Sequence, residues 1–190
     1  TIGVAWGASL TGVNICSGIA NINDNYTGFI EAANQSANFD VINHSWGKFP
    51  GFWQDGVSVA QDQAVIDAWF SALETGRSGL GTIEVKAAGN NNQNGNGDLA
   101  SSTRATVVVG AYDDDGDAAY YSSYGVNLLV SAPSSGFASF FGGALNKGQV
   151  TTDLTGFTGP EGLALGYNGL PDLDYTNGFG GTSGATPIVA

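Results

Sequence analysis

Thr82-Ile83-Glu84-Val85-Lys86-Ala87-Ala88-Gly89-Asn90 is a short β-prone run that closes on small residues and an asparagine. Runs of this kind, bounded by turn formers such as Asn91-Asn92-Gln93-Asn94, are typical of buried strands in parallel sheets. A second β-branched run at 106–111 and strand-like stretches at 4–15, 40–45 and 128–131 extend the pattern. Between them, Val57, Ala60, Ala64, Val65, Ala68, Trp69, Ala72 and Leu73 fall at helical spacing over 57–73. Alternating strands and helices predict an α/β fold with a mostly parallel sheet. At the end of the first run, Ala88 and Gly89 leave room for a peptide backbone to lie alongside. The Asn90 amide is a donor suited to an oxyanion, although an asparagine also serves there as an ordinary turn residue.

A second segment points to the same chemistry. Gly180-Gly181-Thr182-Ser183-Gly184-Ala185-Thr186-Pro187 surrounds one serine with small residues, so the backbone turns sharply and the hydroxyl stays accessible. A short helix starting near Ser183, with Pro187 in its first turn, would aim free N–H groups at developing negative charge. Those are the needs of a nucleophile whose intermediate carries an oxyanion. The plainer alternative makes Ser183 a helix cap. Elsewhere, 28–37 reads as a short helix capped by Asn25 or Thr27, 113–117 as a turn, and 134–175 as mostly loop with room for a hairpin.

The chain has 190 residues, 42% hydrophobic and only 12% charged, enough for one domain with a substantial core. Thirty glycines without a three-residue period exclude collagen and predict many tight turns. Acidic residues outnumber basic ones by 17 to 5, a balance that disfavours nucleic acid as a partner. No apolar run reaches the roughly 18 residues of a membrane span. The single cysteine, Cys16, excludes an intrachain disulfide, and the single histidine, His44, excludes a multi-histidine zinc site. The absence of methionine and the apolar ends predict that the chain is part of a longer one.

Together these segments resemble the subtilase family of serine proteases. Gly181-Thr182-Ser183 through Pro187 resembles its nucleophile segment, Ala87-Ala88-Gly89-Asn90 its oxyanion-asparagine segment, and Val41-Ile42-Asn43-His44-Ser45-Trp46-Gly47 its substrate strand. Gly79-Leu80-Gly81-Thr82-Ile83 and Ser45-Trp46-Gly47 are similar to the kexin-like branch. The resemblance covers nearly all of 1–190 as the C-terminal part of one catalytic domain, a three-layer α/β fold incomplete at its N-terminus. It implies a secreted serine endopeptidase acting on peptide or protein substrates through a Ser183 acyl-enzyme. Ser183 N–H and the Asn90 amide would form the oxyanion hole. Ser45, Trp46, Gly47, Ala88 and Gly89 would bind an extended substrate as an added strand. Trp46 would line the pocket for the residue before the scissile bond, with Asp98 as an anion at the pocket floor selecting Lys or Arg.

The departures shape the expectation as much. No His-Gly-Thr or Asp-Thr/Ser-Gly segment is present, so the family's catalytic His and Asp have no counterpart. His44 lies inside the substrate strand and reads as a structural group. The isolated chain is therefore expected to be inactive, with the base supplied by segments outside it. The alternative is a non-catalytic subtilase-like binding or scaffold module. The second pocket acid of the kexin-like branch is replaced by Lys48-Phe49-Pro50-Gly51-Phe52-Trp53, and Asp55 stands too far along to be assigned. No cofactor is required. Kexin-like relatives often carry structural calcium, but Asp113-Asp114-Asp115-Gly116-Asp117 lacks EF-hand spacing and reads as a solvated turn, so no metal ligands are assigned.

Overall fold

The computed structural model describes residues 4–15, 25–47, 56–136, 148–152 and 174–190. Cys16, residues 48–53, Asp55 and most of 134–175 lie outside them. The chain runs α1 (Asn25–Ala33), β1 (Val41–His44), α2 (Gly56–Gly79), β2 (Ile83–Ala87), α3 (Leu99–Ser102), β3 (Thr106–Tyr112), β4 (Leu128–Pro133), β5 (Gln149–Thr152), β6 (Tyr175–Phe179) and α4 (Thr182–Val189). Single 3-10 turns at Ser36–Asn38 and Gly95–Gly97 lead into β1 and α3.

β1, β2, β3 and β4 form one sheet in that order, every pair parallel. Parallel neighbours need crossovers, which α2 and α3 supply. The sheet buries both faces. On one, Val85, Val109, Ala111 and Ala132 pack with Ala119, Tyr121 and Ala185 of α4. On the other, Val65, Ile66 and Trp69 of α2 pack with Ala33, Ala100 and Ala105. The result is three layers around a parallel sheet. Trp69 is fully buried, so its removal would cost about 3–5 kcal/mol.

Several boundaries differ from the sequence reading. Residues 4–15 form a turn and extended chain, not a strand: Val4, Trp6 and Leu10 are exposed, and no described strand pairs with them. Apolar alternation without a pairing partner does not make a sheet strand. The first helix ends at Ala33, because the chain tightens into the 3-10 turn before 37. α2 runs on past Leu73, and its regular geometry breaks only at Gly76, with Arg77 and Ser78 at φ 50° and 58°. Among the described residues of 134–175 the strand is β5, and it pairs antiparallel with β6, which begins only at Tyr175 and runs beyond that stretch.

Candidate active site

β1 and β2 run side by side, so Ser45-Trp46-Gly47 and Ala88-Gly89-Asn90 emerge together at the carboxyl edge of the sheet. Ligands of open α/β sheets sit at that edge. The start of α4 meets the same place. Gly89 N–H donates to Thr182 Oγ1 at 3.1 Å, while Thr182 N–H and Oγ1–H donate to Asn90 Oδ1 at 2.8 and 2.7 Å. A backbone N–H only donates, so the atom facing Thr182 is the amide oxygen. The Asn90 NH2 is thereby turned away from Thr182 on an exposed side chain.

Gly181 makes this approach feasible. Its φ of 78° lies in the left-handed region, and a Cβ there would stand 3.0 Å from Asn90 Nδ2. In α4, Thr182 N–H goes to Asn90, and Gly184 and Ala185 N–H go to the Gly181 carbonyl. The N–H of Ser183 lies in the first turn, where no intrahelical acceptor exists. The half-buried Ser183 hydroxyl donates to the Ser45 carbonyl at 3.3 Å.

Pro187 is the sixth residue of α4, not a first-turn residue as the sequence suggests. It has no N–H, so the Ser183 carbonyl loses its helical partner. The Ser45 hydroxyl donates to that carbonyl at 2.8 Å and itself accepts from Asn43 Nδ2 at 3.0 Å.

His44 is buried on the opposite side of β1. Its ring lies 4.8 Å from that of Trp69, and Nε2 donates to Glu84 Oε2 at 2.7 Å. Nδ1 accepts the Trp46 indole N–H at 3.2 Å. Both nitrogens are engaged away from Ser183. Burial, reinforced by the Lys86 charge and only partly opposed by Glu84, holds the imidazole below its ordinary value of 6.5, so it is neutral at pH 7. Trp46 is half-buried, its ring 4.4 Å from Phe29 and 6.2 Å from Trp69. The indole packs into the helix layer, and Ser45 is the residue of Ser45-Trp46-Gly47 that bonds Ser183.

Asp98 caps α3: Oδ1 accepts from Ala100 N–H at 3.3 Å and Oδ2 from Ser101 Oγ at 2.5 Å. Among the described residues no three His, Cys, Asp or Glu side chains converge as a metal site. The acidic turn is exposed and closed by Asp113, whose Oδ1 accepts from the N–H groups of Asp115 and Asp117 at 3.2 and 3.0 Å. No helix among the described residues is long and apolar enough to cross a membrane. The sequence reading missed Thr182 as the clamp on Asn90. It also missed the buried pair Glu84 and Lys86, whose signal was two charges spaced by two in an otherwise apolar run.

The sequence model of peptidase S8, the subtilase family, matches residues 1–190. The chain belongs to the subtilase family. The calcium-dependent protease of Trichormus variabilis is 33% identical to this subtilase over 196 residues, covering 99% of the chain and 28% of that protein. Proprotein convertase subtilisin/kexin type 7 of Mus musculus is 29% identical, covering all of the chain and 22% of that protein. The extracellular serine protease of Aeromonas sobria is 27% identical over 227 residues, covering 100% of the chain and 34% of that protein. A crystal structure of a serine protease from Aeromonas sobria matches 98% of the chain and 35% of its own length, with a TM-score of 0.74 and 25% identity. The subtilase chain thus spans less than a third of the length of the first two relatives.

Proposed function

We propose that this subtilase chain carries the nucleophile half of a serine endopeptidase centre. Ser183 attacks the peptide carbonyl, and its own N–H with the Asn90 amide stabilises the oxyanion. Ser45-Trp46-Gly47 and Ala88-Gly89 hold the substrate as an extended strand between them. The observation that supports this reading is the double hydrogen bond from Thr182 to Asn90 Oδ1, which uses the amide oxygen and turns the NH2 away from Thr182 as a donor. A donor fixed before reaction needs no reorganisation as charge develops. The base comes from a segment outside these residues, since both nitrogens of His44 are occupied in the core.

The finer reading is a kexin-like specificity for a basic residue before the scissile bond, supported by the likeness to a proprotein convertase. Asp98 supplies the anion. Its carboxylate is pinned by two local donors and retains lone pairs for a guanidinium or ammonium group. The extracellular name of the Aeromonas sobria relative supports a secreted enzyme, and the calcium-dependent relative supports a structural calcium ion.

The test is hydrolysis of peptides by the protein that contains this chain, with Ser183→Ala and Asn90→Ala variants. Ser183→Ala should abolish turnover, and Asn90→Ala should lower kcat by about 10²–10³. That magnitude is the one known for loss of such a donor in subtilisin, a member of this family. A folded protein that binds peptides but never cleaves them would instead favour the binding-module reading.

A further inference from the structure

His44 on β1 and Glu84 and Lys86 on β2 are 7%, 1% and 1% exposed, and the reaction proposed above uses none of them. Glu84 and Lys86 are two apart on one strand and so share a face, and His44 pairs with Lys86 across the ladder. Lys86 and His44 converge on Trp46, the middle residue of the proposed substrate strand, with Glu84 behind His44. Lys86 Nζ donates to the Trp46 carbonyl at 3.0 Å and lies 4.6 Å from the centre of its ring. The indole N–H donates to His44 Nδ1 at 3.2 Å, which fixes the tautomer with the ring proton on Nε2, bonded to Glu84. The neighbouring carbonyl, that of Ser45, faces Ser183 instead. One carbonyl of the strand is therefore held from the core and the next lies at the reaction centre.

We propose that His44 and Lys86 are positioning residues for peptide binding, fixing Trp46 at its indole and its carbonyl and so setting the orientation of the Ser45-Trp46-Gly47 strand. The proposal rests on the reading of that strand as the substrate edge. Buried hydrogen bonds to charged groups are among the stronger ones, and their geometry is passed to the backbone they hold. The His44 half of the grip needs a neutral ring, because a protonated imidazole has no lone pair to accept the indole N–H. The groups facing that ring are Glu84 and Lys86 from β2, Trp46 from its own strand's continuation and Trp69 from α2. Buried Asp62 lies seven residues before Trp69 on the same helix. Burial keeps the imidazole neutral into weakly acidic solution, so the grip persists there.

The experiment uses the protein containing this chain, with isotope-labelled tryptophan and the Trp46 indole resonance assigned by its loss in Trp46→Phe. Peptide hydrolysis is measured alongside for the unaltered protein, His44→Gln, Lys86→Met and the Glu84→Gln/Lys86→Met pair. The pair removes both buried charges at nearly constant volume and keeps the test open should Lys86→Met alone fail to fold. The expected result is an indole resonance that shifts in one step with a midpoint below 6.5, a step absent from His44→Gln. Folded Lys86 variants should raise KM about tenfold with kcat within about twofold, the loss of one strong hydrogen bond in binding. An indole resonance indifferent to pH in the folded protein, or an unchanged KM in every folded Lys86 variant, would overturn the proposal. Absence of hydrolysis by the unaltered protein would count against the protease reading, and the indole titration would then decide the grip alone.

Discussion

The Ser45 hydroxyl stands 2.8 Å from the carbonyl oxygen of Ser183, the acceptor that Pro187 leaves without a helical donor. A proline in the second turn of α4 would ordinarily weaken the helix. Here the orphaned carbonyl ties Ser183, the proposed nucleophile, to the end of β1, and the Ser45 carbonyl in turn accepts from the Ser183 hydroxyl. Ser183 and Ser45 are joined by two reciprocal bonds across a sequence separation of 138 residues.

Replacing Ser45 with alanine should therefore cost about 1 kcal/mol of stability, the net worth of a part-buried hydrogen bond. The same replacement in a Pro187→Ala background should cost less, because residue 187 then supplies its own N–H to the Ser183 carbonyl. Denaturant midpoints of the four proteins in this double-mutant cycle measure the coupling, and additive costs would speak against the link.

Thr182→Val keeps the backbone N–H bond to Asn90 but removes the hydroxyl that binds Asn90 Oδ1 and receives Gly89 N–H. The asparagine amide should lose half its anchoring. A fall in kcat of about tenfold with little change in KM is expected, milder than for Asn90→Ala. Steady-state kinetics on both variants makes the comparison.

Asp98→Asn should reduce the preference for Lys or Arg before the cleaved bond by more than tenfold, as expected when a desolvated charge pair loses its anion. Asparagine still caps α3 through its side-chain oxygen, so folding should be preserved. Cleavage profiling with peptides differing only at that residue reads the effect, and an unchanged preference would remove Asp98 from the pocket.

Part of this geometry was legible because a close approach of backbones demands small residues in particular places. Gly181 must take a left-handed φ beside Asn90, and a run such as Gly180-Gly181-Thr182-Ser183 announces that in sequence. The four parallel strands were legible from β-branched runs, and α2 from its spacing. What was not legible depended on partners distant in sequence. The apolar alternation of 4–15 resembles a strand, yet pairing with a neighbour is a tertiary property that alternation does not encode. The burial of Glu84 and Lys86 likewise follows from His44, Trp46 and Trp69 gathering beneath β2, which no local pattern specifies.

The lowered affinity of His44 for a proton makes stability depend on pH with a definite sign. Between the ordinary value of 6.5 and the lower folded-state value, the unfolded chain binds the proton and the folded one does not. Stability from this group is thus complete above 6.5 and declines as pH falls below it, levelling off once the folded-state value is passed. Denaturant midpoints across weakly acidic pH should show this slope, and the slope should flatten in folded His44→Gln.

The central claim is that Ser183 is a nucleophile served by an oxyanion hole that includes Asn90, and its most direct test is covalent capture. The protein containing this chain should be treated with a fluorophosphonate and the adduct located by mass spectrometry. The account predicts a single adduct on Ser183, lost in Ser183→Ala and formed about 10²-fold more slowly in Asn90→Ala, with the 190-residue chain alone left unlabelled for want of a base. Labelling at another serine, or a Ser183 rate indifferent to Asn90, would contradict it.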